Sequence, residues 1–487
     1  MFSADGRLRS PAVSTSQIRS GSALGATGEG SVGLGGSISD ESTQVGSRAG
    51  LVGLIGVVAT CLLLCLAAPS TESLHPQSTL VLPPVIHLTG LFAGSQITLR
   101  AGELIGTLAV MFGAYVLAVV YADRVRPRAV VTAVAAFILI VVVAPVLFST
   151  DVFSYQAYAR MFASYGVNPY THGPTNVLTL SGGYSDSIYD YIGAKWISTP
   201  TVYGPLFTLL SALFASASVA VSAFAFKGIA AISCTVMLVL VWHSARLRGL
   251  NPARAIALVG LNPLVVLYGV GGGHNDLLMA VLTTGGIYAI LARRDRAAGA
   301  LIVLGTAVKL TGGLVYPFAF AGRPGLGARD RRRSLLIGGM LALVAVLAAG
   351  FAAFGTGMLQ MPLTLDRVQN EGTWQSVPGF FTTALRMQVF GNALGLLLGV
   401  VFVAITIRLL LRVWRGELDW LDGLSWSTFV ILLTTSSLLP WYVTWLLPPV
   451  ALCTTRRLWT VTLAFTGWIM FTTTLAYIPH GVAFLGI

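Results

Sequence analysis

The chain has 487 residues, 55% of them hydrophobic and only 10% charged, with a formal net charge of +12 and a mean hydropathy of +0.79. Soluble domains carry about 25% charged residues, so this composition excludes an ordinary soluble protein and matches a polytopic membrane protein. The positive charge sits in short arginine clusters between apolar segments, such as Arg124, Arg126 and Arg128 or Arg331, Arg332 and Arg333, which is a signature of membrane topology and not of nucleic-acid binding.

Residues 1–49 are rich in Gly, Ser and Thr and show no apolar periodicity, so they predict a disordered cytoplasmic tail. The first long apolar run begins near Leu51, too far along the chain for a secretory signal. Residues 50–487 then read as one multi-span membrane domain of all-α class. A crossing needs about 20 apolar residues. Candidates fall at 51–68, 101–121, 129–148, 204–224, 227–245, 254–270, 277–292, 334–355, 392–412, 424–439 and 457–478, with 299–321 and 441–454 harder to classify. This predicts about 11–13 transmembrane helices. Cys61, Cys65, Cys234 and Cys453 all lie in apolar stretches and read as packing residues.

The basic clusters place the tail and the loops at Arg124–Arg128 and Arg408–Arg415 in the cytoplasm, and hence the loop carrying Asp151 outside. Parity then fails if 204–224 and 227–245 both cross, because Arg246, Arg248 and Arg254 land outside, so one of that pair is expected to be re-entrant. The segment 299–321, flanked by arginines on both sides, fits a hairpin dipping in from the cytoplasm with Lys309, Gly312 and Gly313 near its tip. The long segments 149–203 and 356–391 are aromatic-rich outer loops, too mixed to be plain connectors. Glu417, Asp419 and Asp422 read as solvated loop residues. No internal repeat is visible.

Two constellations could carry chemistry. Within 149–166, Asp151, Tyr155, Tyr158, Phe162 and Tyr165 recur at three- and four-residue intervals, which predicts an amphipathic surface helix ended by Gly166 and Asn168-Pro169. Two roles fit Asp151: stabilising the helix N-terminus through the macrodipole, or acting as a general base at a wet membrane edge. The second constellation is GVGGGHNDLLM, where Gly271, Gly272 and Gly273 would let backbone approach a ligand and Asn275 or Asp276 would cap the next helix. His274 and the helix N-terminus could hold a phosphate, while the local ligand set is too thin for a metal. Arg160 and Lys195 are basic groups on the outer half, and Lys309 either snorkels or meets a lipid phosphate inside the membrane. The aromatics of PWYVTWLLPP, from Pro440 to Pro449, fit an interfacial belt or a sugar-stacking platform.

These residues carry a family resemblance. DVFSYQAYARM, GVNPYTHGP, TPTVYGPLF, LNPLVVLYGVGGGHND, AVKLTGG and LLPWYVTWLLP, in that order over about 130–480, resemble the polyprenol-phosphate-mannose-dependent mannosyltransferases of actinobacteria in glycosyltransferase family 87. The resemblance implies the membrane glycosyltransferase C architecture with amphipathic helices in the outer loops, in a multi-pass protein of the plasma membrane. It also implies an extracytoplasmic active site, a polyprenyl-phosphate sugar donor, a glycan or glycolipid acceptor of the cell envelope, and no cofactor. Asp151 would be the catalytic acid of the first large outer loop. His274, Lys309, Lys195 and Arg160 would meet the donor phosphate, and Tyr155, Tyr158, Asn168, Tyr203, Asn275, Asp276 and Trp441 would complete the site. The competing class is a transporter or flippase of lipid-linked saccharides, with Asp151 and Lys309 as a relay.

Overall fold

The computed structural model describes residues 34–71, 74, 88, 90–180, 186–193, 196–323 and 325–475. The chain divides into two compact units, Met1–Gln44 and Val45–Ile487, and every candidate site residue belongs to the second. Helices α1 (Leu34–Ala67), α2 (Ala101–Val120) and α3 (Pro127–Val143) lead into the short pieces α4 (Asp151–Ala163), α5 (Thr175–Leu180) and α6 (Pro205–Ala212). Next come α7 (Val219–Leu247), α8 (Pro252–Gly260), a π-helical turn at Leu264–Val270, α9 (Asp276–Leu291), α10 (Asp295–Val308) and α11 (Val315–Ala321). The remainder comprises α12 (Ala328–Phe354), α13 (Met361–Glu371), α14 (Val377–Gly379), α15 (Gln388–Trp414), α16 (Trp420–Thr434), α17 (Val443–Ala451) and α18 (Arg456–Leu475). The protein is an all-α polytopic membrane protein.

Six helical segments of the described residues are long and apolar enough to cross a bilayer, and the bent pair α8 plus π turn, angled by 49°, makes a seventh. Against the expected eleven to thirteen, four further apolar helices at 127–143, 276–291, 310–321 and 420–434 are shorter than a full span. The shortfall has a physical origin: several apolar runs are broken by irregular backbone that is buried in protein. The helix boundary at the N-terminal side also differs from expectation, since α1 starts at Leu34 and not after residue 49. Extending an existing apolar helix costs far less than nucleating one. Residues 1–33 of the expected tail lie outside the described residues.

The two segments where parity was in question are both broken by irregular backbone. The run 204–224 is not a crossing: α6 ends at Ala212, a turn follows, and Ser218 caps the single 29-residue helix α7 by accepting from the amide of Val221. The 299–321 segment returns to where it starts. Asp295 opens α10, and Arg323, just past α11, donates to its carboxylate at 2.7 Å, with Arg331 at 2.9 Å on the other oxygen. The helix breaks between at Lys309, so α10 and α11 are the limbs of a hairpin with Lys309–Gly313 at its tip. Close crossing on α12 holds the hairpin in place: a Cβ at Gly299 would strike the Leu335 carbonyl, and one at Gly338 the Arg296 carbonyl.

Two surface assignments need correction. The helix α4 is no surface helix, because Val152 to Ala159 and Met161 are all buried. Its Tyr155 ring, part of the aromatic stripe, packs edge-on against Tyr203, Phe207 and Phe226. Asp422 is buried, with Thr455 donating to its carboxylate at 2.6 Å, and Asp419 caps α16 and pairs with Arg248 at 3.3 Å. All four cysteines are buried and free, as packing residues should be.

Candidate active site

The segment 144–150 unwinds α3 and delivers Asp151 to the start of α4. It is held from both sides. Lys227 of α7 donates to the carbonyls of Ala144 and Pro145 at 2.5 and 2.6 Å, and the amide of Leu147 donates to the carbonyl of Gly271 at 2.9 Å. Phe148, at a positive φ of 60°, stacks on Tyr268 of the π turn with ring centroids 4.2 Å apart. Strained backbone and π-helical turns concentrate at functional sites, and here both fall on the seam between the two constellations.

The glycine turn works differently from expectation. A Cβ at Gly271 would meet the carbonyl of Leu267, one at Gly272 the His274 ring, and one at Gly273, where φ is +65°, the side chain of Val152. The glycines are therefore needed for protein to pack on protein, which seats the His274 ring. Asn275 occupies the N-cap position of α9 but its side chain makes no capping bond, since its backbone is already helical. Its carboxamide oxygen instead lies 3.5 Å from the Tyr155 hydroxyl.

Two charged pairs form next to each other. His274 Nδ1 lies 3.2 Å from Asp151 Oδ2; the imidazole side chain is fully buried while the carboxylate side chain keeps 17% of its surface. The His274 ring stacks on Trp441 at 3.5 Å, and both its nitrogens lack a hydrogen-bond partner among the described residues. In the second pair, Lys309 Nζ donates to both oxygens of Asp276 at 2.8 and 2.9 Å, and Trp445 Nε1 donates to Oδ1 at 2.6 Å. Lys309 lies over the rings of Tyr442 and Trp445, at 4.6 and 5.3 Å from their centroids. The hairpin tip is tied in by Gly204, whose amide donates to the Val308 carbonyl at 3.0 Å.

The electrostatics favour an ionised Asp151. Burial raises its carboxyl pKa, but the neighbouring His274, the Lys309 charge and the Ser149 hydroxyl outweigh that and hold it below the usual carboxylate value. Among the described residues no group of three or more His, Cys, Asp or Glu side chains could hold a metal.

The sequence expectations divide three ways. Asp151, Tyr155, Tyr203, His274, Asn275, Asp276, Lys309 and Trp441 come together. Tyr158, Arg160 and Asn168 do not reach the charged pairs. Tyr158 donates to the Thr199 carbonyl, and Asn168 donates to the Phe354 carbonyl. Arg160 is consumed by Asp186 and by the carbonyls of Ala215 and Ala217, because it points from the opposite side of α4 to Asp151. Lys195 lies outside the described residues. Sequence reasoning passed over Trp445 and Tyr442, which read as belt aromatics, and Lys227, whose signal was available as a lone lysine in an apolar run.

Over most of its length the chain resembles known proteins. A sequence model described as "Alpha-(1->6)-mannopyranosyltransferase, N-terminal domain" matches residues 51–322, and one described as the MptB C-terminal domain matches 377–486. The chain is 30% identical over 354 residues to alpha-(1->6)-mannopyranosyltransferase A of Mycobacterium tuberculosis, covering 66% of this chain and 65% of that one. It is 24% identical over 377 residues to alpha-(1->6)-mannopyranosyltransferase B of Corynebacterium glutamicum, covering 69% and 60%. It is also 28% identical over 369 residues to a probable alpha-(1->6)-mannopyranosyltransferase of Mycolicibacterium smegmatis, covering 64% and 63%. The matched stretch thus spans less than two thirds of each relative's length. No solved structure matches. The N-terminal match alone takes in more than half of the 487 residues, both charged pairs included, and the chain therefore belongs to the alpha-(1->6)-mannopyranosyltransferase family.

Proposed function

We propose that the protein transfers a mannosyl group from polyprenyl phosphate mannose to a glycan or glycolipid acceptor at the extracytoplasmic face of the plasma membrane. The observation that carries this reading is the pairing of a carboxylate and an ammonium at one site, each backed by a buried partner. The acceptor hydroxyl attacks the anomeric carbon, the carbon–oxygen bond to phosphate breaks, and the hydroxyl proton passes to Asp151. The Lys309 ammonium meets the negative charge that gathers on the departing polyprenyl phosphate. One displacement inverts the anomeric centre, so a β-linked donor gives an α-linked product.

His274, expected at the phosphate, is better suited to positioning: its side chain is wholly buried and it faces Asp151. Of that pair only Asp151 keeps exposed surface, so the base is the acid and not the imidazole. A cavity of about 560 Å³ beside the hairpin tip, lined by Pro205, Ala307, Leu310, Tyr316, Leu336 and Met340, supports a path for the polyprenyl chain. Its walls are mainly aliphatic.

The test is to incubate purified protein in lipid with a panel of polyprenyl-phosphate sugars and oligomannoside acceptors. Mannosyl product from the polyprenyl-phosphate donor, persisting in chelator because the scheme uses no metal, is expected. Failure of every donor, or transfer of lipid-linked saccharide across the membrane without a new glycosidic bond, would replace the enzyme reading with the flippase one.

A further inference from the structure

At the end of the bundle remote from Asp151, a cavity of about 550 Å³ opens where α2, the start of α8 and the start of α18 meet. Two chain runs separate it from the site. The bent pair α8 plus π turn leads from Arg254 to the glycine turn, and α17 leads from Trp441, beside His274, to Cys453. Helical rise puts the two ends on the order of 15–25 Å apart.

The cavity is two-faced. Its inner wall includes Val119, Val120 and Leu463, whereas Arg254 and Arg456 stand at its edge with Asn251 and Thr454. No acidic side chain lines it. The Arg254 guanidinium lies 5.0 Å from the centroid of the Trp459 ring, and neither arginine has an ion pair among the described residues. Arg248, just before Asn251 in the chain, is by contrast paired with Asp419. Two cations without an ion pair among the described residues, over an apolar wall and within the 300–1,000 Å³ common for ligand sites, complement one kind of molecule, an anion with an attached hydrocarbon chain.

We infer that this cavity binds an anionic glycerophospholipid of the adjoining leaflet. The phosphate lies between Arg254 and Arg456, the ester and headgroup oxygens face Asn251 and Thr454, and an acyl chain follows Val119, Val120 and Leu463. This site is independent of sugar transfer.

Trp459 lines the cavity and serves as the reporter. The full-length protein is placed in vesicles of phosphatidylcholine and phosphatidylglycerol, with bromine on the acyl chains of one lipid at a time. The Trp459 signal is the difference in fluorescence quenching between the parent protein and Trp459→Phe. Brominated phosphatidylglycerol is expected to quench it at a several-fold lower mole fraction than brominated phosphatidylcholine, with Arg254→Gln and Arg456→Gln each removing about fivefold of that preference. Arg456→Gln leaves the Arg254–Trp459 contact in place, so it decides the matter if Arg254→Gln fails to fold. Equal quenching by the two lipids, a preference left undiminished by Arg456→Gln, or displacement of the lipid by inorganic phosphate would each overturn the assignment.

Discussion

In the Asp151–His274 pair the carboxylate side chain keeps 17% of its surface and the imidazole none, whereas in the Asp276–Lys309 pair the carboxylate keeps 1% and the lysine 17%. The two pairs are the same device turned around. Each buries one member to hold the other in place, so the first offers an acceptor of protons and the second a fixed positive charge. Aromatic rings back both pairs: Trp441 lies flat on His274, and Trp445 donates to Asp276. The difference teaches which residue of each pair should matter for chemistry and which for position.

The sharpest way to break the comparison is Asp151→Asn, which keeps the shape and removes the base. Turnover should fall roughly 100-fold or more with the protein still folded in the membrane. Normal turnover would leave Asp151 as a helix N-terminal group only. Next is Lys309→Met, which strands the buried Asp276 carboxylate and should cost roughly 3–5 kcal/mol of stability. Adding Asp276→Asn should restore thermal stability while use of the lipid-phosphate donor stays at least about tenfold impaired. If the double variant regains donor kinetics as well, Lys309 is structural.

A third measurement addresses the buried imidazole. Because Asp151 is held below the ordinary carboxylate value and acts ionised, activity should persist down to pH below about 4 and be lost as pH falls through the lowered pKa. His274→Gln removes a contributor to that lowering, so the acid limb of kcat/KM should move to higher pH, with a smaller rate loss than Asp151→Asn. An unmoved limb would show that His274 does not poise Asp151. The smallest catalytic effect is expected from Arg160→Gln. It should lower thermal stability through loss of the Asp186 pair and leave donor and acceptor KM unchanged, and a selective rise in donor KM would return Arg160 to the phosphate site.

The parts of the molecule legible in the sequence are those that periodicity and energetic cost can encode. Asp151 and Lys309 stood out because a charge in apolar surroundings needs a reason, and His274 because a glycine turn runs into a helix N-terminus beside it. The hairpin at 299–321 was readable from arginines on both flanks, and the Asp295–Arg323 bond closes it. Pairing was not readable. Asp276 looked like a cap and Arg160 like a phosphate ligand, because the partners that decide otherwise, Lys309 and Asp186, lie 33 and 26 residues away along the chain. The aromatic stripe of α4 has the same period whether it faces lipid or Tyr203 and Phe207, so its burial could not be read from spacing.

The hairpin also has a meaning for biogenesis. Since α10 and α11 enter and leave at one end, neither limb is a span, and the pair cannot be laid into the bilayer as an ordinary transmembrane segment would be. The polar backbone at Lys309–Gly313 needs a finished protein wall around it, here Met279 of α9 against Gly312, before it is tolerated at depth. The carboxylate end of the site can thus be threaded with its neighbouring spans, while the lysine end must be inserted late, when the helices that receive it have already closed.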